Sequence, residues 1–283
     1  FFFLSLVWCH PSVPAAMSEM SPEKKALELL PALREELGDA AIGVDDANLT
    51  KFLRWKPSVS RAAERFRHHL DWRSKYPFVF DGERPLLVGE DPELRRVLES
   101  EPIVAPEGLV GKDGSTVLVG RLRKNDMRDG RTAEDVVRML VYTMDRALER
   151  ESTKANGVTV FHDLKGLSTH NLDPRIPKIL LPALVGNMPL RIRGIYILNA
   201  PLVFMAFFKV ISLTFPSKLR ARMHFVSDIS KVYEVIDKDS LLEEHGGQCQ
   251  HNSVKWVADQ MERENGGDFD TLARCVSSKR ASE

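Results

Sequence analysis

From Thr116 onward, short β-branched apolar runs alternate with longer segments of helical period, and that alternation admits few architectures. Thr116-Val-Leu-Val-Gly120, Val158-Thr-Val-Phe161, Ile192–Leu198 and His224–Ser227 read as strands. Between them Val136, Leu140, Met144 and Leu148 recur every four residues, a second helix runs through Ile179, Leu180, Ala183 and Leu184, and a third follows Pro201. Strands separated by helices cannot be joined by tight hairpins, so the expected sheet has substantial parallel character, with helices on its faces. The fold class is therefore α/β. Gly246-Gly247 closes the unit, and Val254–Met261 reads as one more helix.

Upstream the pattern is helical throughout. Ser21-Pro22-Glu23 matches an N-cap followed by proline at the first helical position, and Leu27, Leu30, Leu33 and Leu37 form a stripe behind it. Gly38 interrupts. Asp45-Asp46 opens a second helix through Leu49, Phe52 and Leu53, halted by Pro57. Ser58 opens a third, with Val59, Ala62, Ala63, Phe66 and Leu70 on one face, and Pro77 ends it. The expected organisation is a leader over 1–20, a helical subdomain over 21–76, an acidic Pro/Gly-rich connecting segment over 77–115, an α/β domain over 116–264 and a polar tail over 265–283. The leader's apolar run, Phe1 to Trp8, is too short to span a bilayer and lacks a basic flank. It is expected to be non-native or disordered, with Met17 or Met20 as the native start.

Acids and bases balance at 40 each, which argues against a general nucleic-acid binder. Three cysteines at unrelated spacings, Cys9, Cys249 and Cys275, imply no disulfide framework and fit a reducing, cytoplasmic compartment. The charge is unevenly spread, however. Residues 174–227 contain no acid, yet they carry Arg175, Lys178, Arg191, Arg193, Lys209, Lys218, Arg220 and Arg222. At the chain's average composition, roughly seven or eight acids belong there. The same window holds the apolar run Pro201-Leu-Val-Phe-Met-Ala-Phe-Phe-Lys-Val-Ile-Ser-Leu-Thr-Phe215, below spanning length and interrupted by Lys209. Val203, Phe204, Met205, Phe207, Phe208, Val210, Ile211 and Leu213 cover nearly every side of a helix. Leaving all eight in water would cost on the order of 12–24 kcal/mol, so core, ligand or membrane must cover them. A buried helix with a solvated basic turn is the plain reading. An anionic lipid surface is the sharper one, since each nearby Lys or Arg adds about 1 kcal/mol there.

An α/β sheet of this size invites an enzymatic reading, but the motifs are missing. No G-x-G-x-x-G or G-x-x-x-x-G-K-[ST] occurs, and Ser168 in Gly166-Leu-Ser-Thr-His170 lacks the second glycine of a nucleophile elbow. His245, Cys249 and His251 have no second ligand pair at a usable spacing, so no metal is expected. His68-His69 read as surface or half-buried helical residues. Asp163 ends a strand without an evident base or nucleophile beside it. These absences favour a binding protein over an enzyme.

Four segments carry a family resemblance. Phe161-His-Asp-Leu-Lys-Gly166, Met188-Pro-Leu-Arg-Ile-Arg-Gly-Ile-Tyr-Ile-Leu-Asn-Ala-Pro201 and Glu243-Glu-His-Gly-Gly247 resemble the signature segments of the CRAL-TRIO lipid-binding family. That family includes α-tocopherol transfer, retinaldehyde-binding and phosphatidylinositol transfer proteins. Phe52-Leu-Arg-Trp-Lys56 is similar to the F-L-R-A-R segment of its N-terminal helical subdomain. The four stand in the family's order, and the match runs from about residue 45 to 264.

The resemblance implies an apolar pocket between the sheet and a mobile gate helix, closed over one lipid, and it assigns the gate to the 201–215 run. Val137, Leu140 and Met144 share a helical face opposite the strand residues Val158, Val160 and Ile195. With Leu180, Leu184, Phe204, Phe207, Phe208 and Ile211 they form the expected lining. In the tocopherol-transfer branch a basic cleft beside the gate binds phosphoinositide headgroups. Its positions fall on Lys56, Arg191, Arg193, Lys218 and Arg222, all basic here. Arg191 and Arg193, two apart on a strand, are expected on one face. The phosphatidylinositol branch places an acid where this chain has Leu190, which leans toward an apolar cargo, whereas Asn199-Ala-Pro201 is closer to that branch. The expectation is a non-enzymatic, monomeric lipid carrier, cytoplasmic and transiently at phosphoinositide-containing membranes, with no cofactor beyond its lipid. A phospholipid exchanger and a lipid-regulated interaction module are the alternatives.

Overall fold

Residues 20–80 and 86–266 are described by the computed structural model; residues 1–19 of the expected leader and 267–283 of the expected tail lie outside them. The helical part comprises α1 (Pro22–Leu37), α2 (Asp46–Trp55), α3 (Val59–Lys75) and the single turn α4 (Pro77–Phe80). Ser21 caps α1 by accepting from the Lys24 N–H at 3.3 Å, and Asp45 caps α2 through the Asn48 N–H at 2.7 Å. These caps satisfy N–H groups that have no intrahelical partner. The buried face of α1 is Ala26, Leu30, Leu33 and Leu37, so Leu27 points outward instead. Leu33, Phe52 and Phe66 join Val137 and Val158 in one apolar cluster, and the helical part is thereby continuous with the core of the sheet.

The segment read as a connection contributes α5 (Pro92–Glu99) and the edge strand β1 (Ile103–Val104). The remaining strands are β2 (Thr116–Gly120), β3 (Val158–Asp163), β4 (Ile192–Leu198) and β5 (Met223–Val226), in the sheet order β1-β2-β3-β4-β5. β1 runs antiparallel to β2, and all other pairs are parallel. The crossovers carry α6 (Ala133–Leu148) and α7 (Glu151–Asn156), then α8 (Arg175–Pro182), then α9 (Leu202–Ile211) and α10 (Ser217–Arg220). The turn α11 (Ser230–Tyr233) and α12 (Ser253–Gly266) follow the sheet. This is the α/β architecture that the alternating pattern implies. α6 is started by a reciprocal capping box between Thr132 and Asp135.

Alternation along the strands sorts residues to two faces. Val117, Val119 and Phe161 pack against Val232, Ile236 and Leu241 on one side. Leu118, Val158, Val160 and His162 face the other, where α6, α8 and α9 enclose a cavity. β4 breaks the alternation. Val158 pairs with Ile192, but Thr159 pairs with Gly194, so Arg193 is an extra, bulged residue. Ile192 and Ile195, three apart, consequently both reach the cavity.

Candidate functional site

The cavity has a volume of about 230 Å³ and an almost wholly apolar wall. The sheet supplies Leu118, Val158, Val160, Ile192 and Ile195; α6 supplies Val136, Met139, Leu140 and Met144. Ile176, Leu180 and Leu184 come from α8 and the turn after it, and Phe204, Phe207 and Ile211 close the space from α9. Ten of the residues expected to line a pocket stand here: Leu140, Met144, Val158, Val160, Leu180, Leu184, Ile195, Phe204, Phe207 and Ile211. Two do not. Val137 packs with Val141 and Leu148 among the N-terminal helices, because the cavity stripe of α6 runs one residue earlier, through Val136 and Met139. Phe208 lies against Phe204, Phe215 and Phe225, with ring centroids 5.0 Å from Phe225. Leu190 does line the cavity and is buried.

The entry to α9 is held by a specific turn. After Leu198 ends β4, Asn199 adopts φ of 56°, a left-handed conformation that asparagine tolerates. Its Nδ2 donates to Asp163 Oδ1 at 2.8 Å. Burial opposes ionisation of Asp163, but His245 at 3.5 Å, Asn199 and the Lys165 N–H outweigh it and hold its pKa at about 2. Asp163 thus anchors the turn that leads into α9. No group of three or more His, Cys, Asp or Glu among the described residues is placed to hold a metal.

α9 itself is apolar on both sides. While Phe204, Phe207 and Ile211 face inward, Leu202, Val210 and Leu213 are 88%, 68% and 78% exposed. Met205 and the neighbouring Phe225 are exposed as well. Residues 202, 205/206, 209/210 and 213 follow helical spacing, so this is one stripe. No helix among the described residues is long and apolar enough to cross a membrane.

Lys218 of α10, the helix that follows α9 in the chain, belongs to a group of cations. Lys56, Arg61, Arg65, Arg191 and Lys218 are close enough that the last four, after burial, each depress the Lys56 pKa. No carboxylate among the described residues forms an ion pair with Lys56, Arg61, Arg65 or Lys218. Arg191 also donates to the carbonyls of Arg54 and Lys154, both at 3.2 Å, where two helices end. Of the five expected headgroup residues, the structure gathers Lys56, Arg191 and Lys218. Arg193 pairs with Asp113 at 3.1 Å and is not among the charges that act on Lys56, although its charge does depress the pKa of Arg191. Arg222 is exposed and is not among the charges that act on Lys56. Arg61 and Arg65 were not expected, although their spacing of four on α3 placed them on one face.

His69 is buried, not superficial, and its Nδ1 lies 2.6 Å from the Asn187 carbonyl, joining α3 to the turn before β4. Burial, helped by the charge of Arg73, pushes its pKa down to about 4, and burial alone does the same to His162. Between the unfolded value near 6.5 and about 4, the unfolded chain binds protons that the folded chain refuses. Stability is therefore complete above about pH 6.5 and falls as pH drops through this window. At pH 5 each histidine is expected to remove on the order of 1–2 kcal/mol. Thermal melts at pH 7 and 5 check this: His162→Phe should abolish about half of the difference, and an unchanged difference would refute it.

Comparison with known proteins agrees with this geometry. The CRAL/TRIO domain profile matches residues 106–247. The chain belongs to the CRAL/TRIO family, whose members bind and transfer lipids. It is 27% identical over 233 residues to the mouse (Mus musculus) alpha-tocopherol transfer protein-like protein, covering 80% of this chain and 65% of that one. It is 24% identical over 255 residues to the phosphatidylinositol transfer protein CSR1 of Eremothecium gossypii, covering 84% of this chain and 58% of the relative. The chain thus spans less than two thirds of the length of the curated relatives it matches. The crystal structure of Sfh5 shares the fold at a TM-score of 0.53 and 16% identity, covering 88% of this chain and 99% of that one.

Proposed function

We propose that the protein binds a single uncharged hydrophobic lipid in the cavity and carries it between membranes, with no chemical step. The observation that carries this reading is the two-sidedness of α9: one helix closes the cavity with Phe204, Phe207 and Ile211 and leaves Leu202 and Val210 in water, with Leu213 exposed in the turn that follows it. A helix that must exchange cargo contacts for membrane contacts needs both faces apolar. The cations around Lys56, with Lys218 among them on the helix that follows α9, suit phosphoinositide headgroups, because uncompensated Lys and Arg attract phosphate strongly. The cavity lining contains no Lys or Arg, and its one charged residue is Asp173. A phosphate inside would therefore be desolvated without a counter-charge, which favours an uncharged cargo over a phospholipid.

Native mass spectrometry and organic extraction of the purified protein test the reading. One lipid per chain without phosphorus is expected. A phosphorus-containing extract would favour phospholipid exchange, the activity named for the Eremothecium gossypii relative. An empty extract, together with failure of fluorescent tocopherol, retinoid and phospholipid analogues to bind, would overturn lipid carriage altogether.

A further inference from the structure

Most polar side chains in the cavity wall are already hydrogen-bonded within the protein. Asn125 Nδ2 donates to the Asn171 carbonyl at 3.0 Å, while Asn171 Nδ2 donates to the Arg123 and Asn125 carbonyls at 3.0 and 3.2 Å. Asn171 Oδ1 accepts from the Ser168 N–H at 2.8 Å, and Asp173 is occupied by the backbone N–H and guanidinium of Arg175. His162 differs. Its Nδ1 is sealed from solvent without a partner, and its ring makes no hydrogen bond among the described residues.

The place of this ring is built into the sheet. His162 stands beside Gly120 in the parallel pairing of β2 and β3. A Cβ on Gly120 would lie 1.8 Å from His162 Nδ1 and 2.2 Å from Cε1, so the glycine makes the room that the imidazole fills. Nδ1 is spent against that strand, which leaves Nε2 as the nitrogen able to meet a molecule in the cavity that His162 lines. With its pKa near 4, the ring is neutral at pH 7 and has one N–H and one bare nitrogen. A sealed N–H without a partner is rarer than a sealed acceptor without one, so Nδ1 holds the lone pair and Nε2 the proton.

We infer, resting on the lipid-carrier reading above, that the Nε2–H of His162 donates a hydrogen bond to one uncharged oxygen of the cargo, a hydroxyl, carbonyl or ether. His162 then selects an amphipathic lipid over a plain hydrocarbon and fixes its direction. Val158 pairs with Ile192, next to Arg191, whereas His162 pairs with Ile197. The four strand steps between them span roughly 13 Å. The oxygen that His162 reads therefore lies at the opposite end of β3 from the cation group, and a phosphate held at Lys56 cannot be that group. A carboxylate is disfavoured as well, since Asp173 shares the lining and no Lys or Arg does.

Pyrene-decanol and decylpyrene, identical but for the terminal hydroxyl, separate the possibilities when titrated by energy transfer from the protein's tryptophans. Wild type is expected to bind the alcohol roughly fivefold to tenfold tighter than its aqueous-transfer free energy relative to the hydrocarbon accounts for. His162→Phe should erase that preference while keeping hydrocarbon binding, and His162→Gln, which retains an N–H, should keep part of it. His162→Leu replaces the Phe variant if the latter does not fold. Absence of the preference in wild type, or its survival in the apolar variants, overturns the role of His162 and leaves the carrier reading intact. Failure of wild type to bind either probe overturns both.

Discussion

Replacing Val210 and Leu213 together by Asp is expected to cut vesicle-to-vesicle transfer of cargo at least tenfold while the melting temperature stays within roughly 3 °C of wild type. Both side chains are largely exposed, so the fold loses little when they change. On a bilayer the same side chains would be buried, a gain of about 1.5–3 kcal/mol each, and carboxylates would forfeit it and be repelled by anionic lipid. A loss of about 3 kcal/mol in membrane attraction is already more than a hundredfold in binding, and tenfold is therefore a conservative floor for transfer. Cargo affinity in solution should not move, because Phe204, Phe207 and Ile211 still close the cavity. Phe207→Asp makes the contrast: it places the charge inside and should abolish cargo binding. Normal transfer by the Val210/Leu213 variant would mean that membranes meet another face of the protein.

The features behind that experiment were unequally legible in the sequence. That α9 would be apolar all round follows from its composition, but which phenylalanine faces which way does not. Phe207 and Phe208 are about 100° apart on the helix, and only the packing of Phe208 against Phe215 and Phe225 decides that Phe207 takes the cavity. The strands β2 to β4 were readable because each is an apolar run rich in β-branched residues between helices, and β5, Met223 to Val226, because it is a short apolar stretch between polar segments. β1 was not, being two residues long and held by antiparallel pairing to β2. α5 had legible signals in Asp91 and Pro92, an N-cap followed by proline at the first turn, but it sits in a stretch whose acids and prolines read as a linker. The bulge at Arg193 left no mark in the sequence. A period of two assigns Arg191 and Arg193 to one face, but only the fold shows that Arg193 is committed to an ion pair with Asp113. His162 was visible within a motif, but its lack of a partner is a property of three-dimensional surroundings.

The cation group carries the second large effect. Lys56→Gln, Arg65→Gln and Lys218→Gln combined are expected to weaken binding to phosphoinositide-containing vesicles about a hundredfold, at about 1 kcal/mol per charge removed near the surface. The sign on stability should be opposite. Burial and four neighbouring positive charges depress the Lys56 pKa, which means that the folded state pays an electrostatic penalty for gathering them. Neutralising three of the cluster relieves that repulsion, so the melting temperature should hold or rise. A merely structural role would instead lower it. Salt supplies the second readout: wild-type binding should fall steeply as ionic strength increases, and binding of the triple variant should be nearly flat. Arg128→Gln serves as the internal control, because that side chain is paired with Asp126 and is not among the charges that act on Lys56 or Arg191. Equal vesicle binding by the triple variant and wild type would assign these charges to solvated surface and leave the apolar stripe of α9 to act without them.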